Sequence, residues 1–413
     1  MSLNPFDQKP MKYDDSLMDW KDMYPLSYDK NDVDPYTKLR IILMNGTEYE
    51  AIWHSHQFHR HCTNNDLRRE IAKMRRVEQQ QQKKISCLKP INENILENTI
   101  GYEHLAVDLT AILAQREKDP AVKMALDFAL LEDFDHLYRY ANLMDMEANM
   151  QAQSLVGSYA EIMPGRPTIS EHRYPYDDIR RCVNNKNADP LTKLNIAIIV
   201  AAEQQTMNYY QNQAGFYTSD LGRKLYAEIA MIEEQHVTHY GSLMDTNCTW
   251  LESWLNHEYT ECYLYYSCYE DETCKNTKSV WEQMFQQELV HLHKAAEMLK
   301  TFENKEWQQV IPDGTFPQLL KFTLQKDYVR KVLRDTVYLT GKKEAYEDVS
   351  KLPKDYEFFR YQQIINHCVD DVASHNVIAN TINVKGQDYR YEESLNPIKE
   401  LQNRKVDNVN VGR

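Results

Sequence analysis

The strongest constraint on how this chain folds is a block that it carries twice. DPYTKLRIILMNGTE, from Asp34 to Glu48, aligns without a gap on DPLTKLNIAIIVAAE, from Asp189 to Glu203, an offset of 155 residues. The same offset carries Glu78 to Glu233, Glu103 to Glu258 and Asp133 to Glu288. A fixed offset of this kind means that one structural unit is used more than once. The chain therefore reads as a tandem duplication, residues 34–188 and 189–343, between an N-terminal arm, 1–33, and a C-terminal segment, 344–413, expected to hold a helix and an extended tail.

A shorter period runs inside each copy. A carboxylate is followed 30 residues later by another, which in three of four cases opens an acid-x-x-His unit: Glu103 with Asp133 and His136, Glu203 with Glu233 and His236, Glu258 with Glu288 and His291. In the fourth, Glu48 with Glu78, Gln81 stands where histidine is expected.

The surroundings of these acids are helical. LNIAIIVAAEQQ and LYAEIAMIEEQHVTHYGSLM place apolar residues at i, i+3, i+4 and i+7. Between them, Gly215, Ser219-Asp220 and Gly222 read as a turn and an N-cap. In the preceding hairpin REKDPAVKM does the same, with Pro120 suited to a first helical turn. Two antiparallel helices and a short turn bring both carboxylates of a pair back to one level, and acid and histidine at i and i+3 share a face. Composition agrees: 11 glycines and 14 prolines in 413 residues fall well below the usual ~7% and ~5%. The expected fold is all-α, with at least eight core helices.

A carboxylate on an apolar helical face is costly unless it is paired or bound to a metal. Two such hairpins supply four carboxylates and two imidazoles, the ligand set of a dinuclear iron or manganese centre in a four-helix bundle. At these residues the chain resembles the ferritin-like di-iron carboxylate superfamily, which includes rubrerythrins, ferritins and the bacterial multicomponent monooxygenases. The resemblance covers residues 91–300 and extends more weakly over 34–88. It implies ligands at Glu103, Asp133, His136, Glu203, Glu233 and His236. Asp133 departs from the glutamate usual there, and Glu132 stands beside it.

Two pairings of hairpins are open. The 70 residues from Asp133 to Glu203 allow a crossover connection, whereas only 25 separate Glu78 from Glu103 and Glu233 from Glu258. This favours joining the second hairpin to the third, which leaves Glu48, Glu78, Gln81, Glu258, Glu288 and His291 for a weaker second bundle. The rival joins the third hairpin to the fourth, which also gives a full ligand set.

Other features have plainer readings. The histidines of HSHQFHRH, 54–61, read as a solvated helix end, KMRRVEQQQQKK, 73–84, as an exposed helix face, and Tyr209 and Tyr210 as packing aromatics. The net charge of −14 argues against nucleic acid, and the sequence shows neither a membrane span nor a signal peptide, so a cytoplasmic location is expected.

The resemblance implies a dinuclear iron cofactor, with manganese accepted by the same ligands, and an oxidoreductase of peroxidase or ferroxidase type that uses O2 or hydrogen peroxide. The eight cysteines include no C-x-x-C pair, which excludes a rubredoxin-type iron site. Electrons would therefore come from a separate donor. The alternatives are an oxygenase or oxidase with an apolar pocket beside the metals, and a non-enzymatic iron-binding or scaffold protein. Small residues at Ala201, Ala202, Ala227 and Ala230 would either leave room for such a pocket or merely permit close helix packing. A tail able to wrap a second subunit leaves a homodimer open.

Overall fold

A computed structural model of the chain describes residues 3–385 and 396–399. Most of these residues are helical. Eight long helices form four hairpins: α1 (Pro35–His61) with α2 (Asn65–Ser86), α3 (Ile95–Arg116) with α4 (Pro120–Ala148), α5 (Pro190–Phe216) with α6 (Asp220–Gly241), and α7 (Trp250–Asp271) with α8 (Lys275–Glu303). Each of the first four begins and ends 155 residues before its counterpart in the last four.

Local chemistry fixes these boundaries in matched pairs. Asp34 Oδ1 accepts from the Tyr36 N–H ahead of α1, and Asp189 Oδ1 from the Leu191 N–H ahead of α5. Asn94 with Glu97 and Thr249 with Glu252 form capping boxes at the starts of α3 and α7. Helices α4 and α8 stop at Asn149 and Asn304, in the left-handed region at φ 50° and 53°, where asparagine is tolerated better than most residues.

The chain divides into two compact units, and the division cuts across the repeat. The first comprises Met1–Glu93, Val183–Ala202 and Asp245–Phe322, and so holds the α1–α2 and α7–α8 hairpins. The second comprises Asn94–Cys182, Glu203–Met244 and Thr323–Arg413, and holds α3–α4, the end of α5, and α6. In the first unit, Arg40 of α1, 2% exposed, reaches Asp271 Oδ2 at 2.8 Å and Glu272 Oε2 at 2.9 Å, tying the first hairpin to the fourth. In the second, Val107 and Ala111 of α3 and Leu130, Leu131 and Phe134 of α4 form a core with Val329, Val332 and Leu333 of a shorter helix, α9 (Lys326–Thr336).

Where the second copy passes into the C-terminal segment the chain departs from an all-helical reading. Leu339–Lys342 (β1) and Ala345–Asp348 (β2) form an antiparallel ribbon with Leu339 opposite Asp348, turning at Lys343, whose φ is 53°. Beyond it lie α10 (Glu357–Ile365), which buries Phe358, and α11 (Ala373–Lys385). The extended arm expected after residue 384 falls almost wholly outside the described residues. Among the described residues no helix is long and apolar enough to cross a membrane.

Candidate metal centre

Every hairpin sets its carboxylates at the same depth. Glu103 lies thirteen residues before the end of α3 and Asp133 thirteen after the start of α4, and the same holds for Glu203 and Glu233, Glu48 and Glu78, and Glu258 and Glu288. Helical rise then puts both acids of a hairpin about 20 Å from its turn.

In the second unit Glu103, Asp133, His136, Glu203, Glu233 and His236 come together, none more than 1% exposed. They form two overlapping groups whose ligand atoms lie within 4.8 Å of one another: Glu103, Asp133, His136 and Glu233 in one, Asp133, Glu203, Glu233 and His236 in the other. Asp133 and Glu233 belong to both. His136 Nδ1 lies 3.0 Å from Glu233 Oε1, while His236 Nδ1 lies 3.2 Å from Asp133 Oδ1, 3.4 Å from Glu233 Oε2 and 3.6 Å from Glu203 Oε2. Both oxygens of Asp133 and of Glu203, Oε2 of Glu103 and of Glu233, and Nδ1 of His236 are buried without a hydrogen-bond partner. Orphaned groups of this kind are rare in native interiors and call for an explanation, such as an ion.

Electrostatics says the same. Burial, with Glu233 and Asp133 close by, pushes the Glu103 carboxyl far above the usual range. Burial and Glu203 raise Asp133 to about 7. Burial also raises Glu233, against the pull of His236. His236 is pushed up despite its burial, chiefly by Asp133. Burial among like charges thus favours the protonated form of Glu103, Asp133 and Glu233.

Sequence reasoning missed the residues that hold these side chains in place. Glu132 is not in either ligand group. Its Oε2 lies 2.7 Å from His236 Nε2, and its Oε1 takes the guanidinium of Arg173. Although burial opposes ionisation, Arg173, His236 and Arg166 hold Glu132 down at about 2. Arg173, fully buried, comes from the segment between α4 and α5 and is itself fixed by Asp178 Oδ1 at 2.7 Å and, through its backbone N–H, by Gln235 Oε1 at 3.0 Å. That segment therefore does more than cross from one hairpin to the next. Tyr210, one of the presumed packing aromatics, is fully buried and donates its O–H to Glu103 Oε1. It also packs against Tyr140 and Tyr226 with ring centroids 5.1 and 5.8 Å away. Ala227 and Ala230 line a cavity of about 510 Å3 with Met231, Gln235, Thr238 and Tyr361, and none of the ligand candidates lines it.

In the first unit Glu258, Glu288 and His291 are also buried at 0% exposure. They join Glu78 and a residue the 30-residue period does not reach, Glu261, in two groups: Glu78, Glu258 and His291, and Glu258, Glu261 and Glu288. His291 Nδ1 lies 3.1 Å from Glu288 Oε2. Gln81 donates its amide to Glu288 Oε1, as His236 in the second unit turns its Nδ1 to Asp133. Tyr265 donates to Glu48, seven residues past Glu258 as Tyr210 is past Glu203. The run 73–84 is thus not simply an exposed face, since Met74, Val77, Glu78 and Gln81 are buried. Of the HSHQFHRH histidines, none belongs to a ligand group among the described residues.

No family model matches this chain, and neither a curated protein nor a solved structure matches it.

Proposed function

We propose that the second unit is a ferritin-like four-helix bundle holding a dinuclear metal centre, iron in the first instance, and that it reduces hydrogen peroxide or O2. The observation that carries this reading is the sharing of Asp133 and Glu233 by two ligand groups, each completed by its own carboxylate and its own histidine. Glu103 with His136, and Glu203 with His236, would hold one ion each, and the two shared carboxylates would serve both. The constant offset of helix boundaries supports an internal duplication.

The ligand chemistry fits hard or borderline divalent ions. A bound pair of ferrous ions supplies two electrons, the number that reduction of peroxide to water consumes. The chain's own residues supply the rest. Ionised Glu132 cannot donate, so a proton on Nε2 of His236 faces it, and loss of the Nδ1 proton, which metal binding requires, would leave that nitrogen's lone pair facing the acids. Tyr210 fixes one oxygen of Glu103 and leaves the other free. Near-complete burial keeps bulk water out and admits a small oxidant more readily than an organic substrate.

Aerobic loading of metal-free protein with ferrous iron tests the reading. The account expects visible ferric absorption and rapid peroxide consumption by the reduced protein, both lost in His236→Ala. Turnover of an organic substrate with slow peroxide consumption would favour an oxygenase, and absence of any ferric signal would remove the redox reading.

A further inference from the structure

We infer that the first unit carries a metal site of a different chemical kind: an unsymmetrical pair of cation positions, one bounded by Glu78, Glu258 and His291, the other an all-oxygen position bounded by Glu258, Glu261 and Glu288 that takes a hard divalent cation of the manganese or magnesium class. This goes beyond the reading of the second unit and does not rest on it.

Two departures from the repeat meet at one place. Gln81 stands where the other hairpins have His136, His236 and His291. Glu261, three residues after Glu258, stands where they have Ala51, Ala106 and Thr206. The unit that lacks one imidazole thus gains one carboxylate, and the structure brings the two changes to the same acid: Gln81 donates to Glu288, and Glu261 shares a ligand group with Glu288. The position that loses nitrogen becomes all oxygen. Carboxylate and carbonyl ligands suit manganese, magnesium and calcium, whereas imidazole suits iron, copper and zinc.

The side chains are aimed as ligands. Glu261 is 0% exposed and neither of its oxygens has a hydrogen-bond partner of ordinary geometry, the nearest base being His257, whose Nε2 is 3.5 Å from Oε1. Glu258 Oε2, Glu78 Oε2 and Gln81 Oε1 are likewise buried and unpartnered. Turning the Gln81 amide over would present its oxygen in place of its NH2, a choice that side-chain geometry alone does not fix. A cluster of five buried carboxylates, Glu48, Glu78, Glu258, Glu261 and Glu288, with the imidazoles of His291 and His257 beside it, is strongly destabilised without cations or protons to offset it.

The test uses the full-length chain stripped of metal and titrated anaerobically with MnCl2, with retained manganese counted after equilibrium dialysis. Glu261→Gln keeps the size of the side chain and should retain one fewer manganese ion per chain than wild type, while His236→Ala should leave the first unit's manganese in place. Gln81→His should raise the iron-to-manganese ratio retained from an equimolar mixture. The rise in melting temperature that manganese gives the wild type should be smaller in Glu261→Gln, a readout that separates ligand loss from misfolding. Equal manganese retention by Glu261→Gln and wild type would overturn the proposal, as would a cluster that binds no cation and is merely stabilised, metal-free, by Glu261→Gln. Loss of manganese in Glu261→Gln with an inert His236→Ala would uphold it while sinking the dinuclear reading of the second unit.

Discussion

Nε2 of His236 lies 2.7 Å from Oε2 of Glu132, and this contact decides which face of the imidazole meets the acid cluster. Glu132 is locked in turn by Arg173, so this buried, charged pair orients a candidate ligand. Glu132→Gln should keep the fold and weaken metal binding in the second unit by roughly 10–100-fold, the usual effect of losing an outer partner of a metal-bound histidine. Glu132→Ala should also destabilise the protein by about 3–5 kcal/mol, because buried Arg173 and Arg166 lose their shared counter-charge. Equilibrium dialysis and denaturant melts of both variants separate the two effects.

The metal-free protein should lose stability as pH rises from about 5 to about 8. Asp133, pushed up to about 7, and Glu103 and Glu233, raised by burial, hold protons in the folded state, whereas unfolded carboxylates release theirs near pH ~4. His236, raised in the fold, loses its contribution in the same direction. His136, held well below its ordinary range by burial, works the other way, but the three raised carboxyls and His236 outnumber it, so the folded state binds more protons than the unfolded one across this window and stability falls as they are removed. Metal loading displaces those protons. Melting temperatures of chelated and loaded protein should therefore diverge with rising pH, and parallel curves would contradict the account.

Tyr210→Phe removes the donor to Glu103 and leaves both carboxylate oxygens free in a buried site. A hydrogen bond to a charged group contributes about 1.5–3 kcal/mol. Metal should still bind, but an ion held by Glu103 and His136 should dissociate more readily than one held by Glu203 and His236. Stepwise metal release to a chelator should show one fast and one slow phase where the wild type shows a single one.

Asn149→Ala removes the short amide that makes the left-handed conformation at φ 50° tolerable and should cost about 1 kcal/mol, with Asn149→Gly close to neutral. Asn304→Ala should behave alike, since it closes α8 in the same way. Thermal melts of the three variants test whether matched positions of the two copies do matched work.

The helices were legible because their signals are local. The cap at Ser219-Asp220 and Pro120 in the first turn of α4 act over one or two turns of chain, and the 30-residue carboxylate spacing recurs within a single hairpin. The ligand candidates were legible for the same reason, since each hairpin repeats them at one depth. Arg173 was not: its segment has no period, and only the fold brings it to Glu132, 41 residues away. Glu261 escaped because the repeat itself directed attention to positions that recur, and it occurs once. Its signal was present as a second acid on the apolar face of α7, one turn beyond Glu258. The β ribbon was missed because Leu339 to Asp348 is too short and polar to break the helical reading around it.

Elemental analysis of the natively purified, folded protein tests the central claim most directly. The account predicts iron or manganese approaching two ions per chain beyond those the first unit holds, and His236→Ala should lose most of that second-unit share while its helical content is unchanged. A folded wild type carrying less than about 0.5 metal ion per chain would contradict it, because a preformed, buried set of orphaned ligands should capture metal at cellular concentrations.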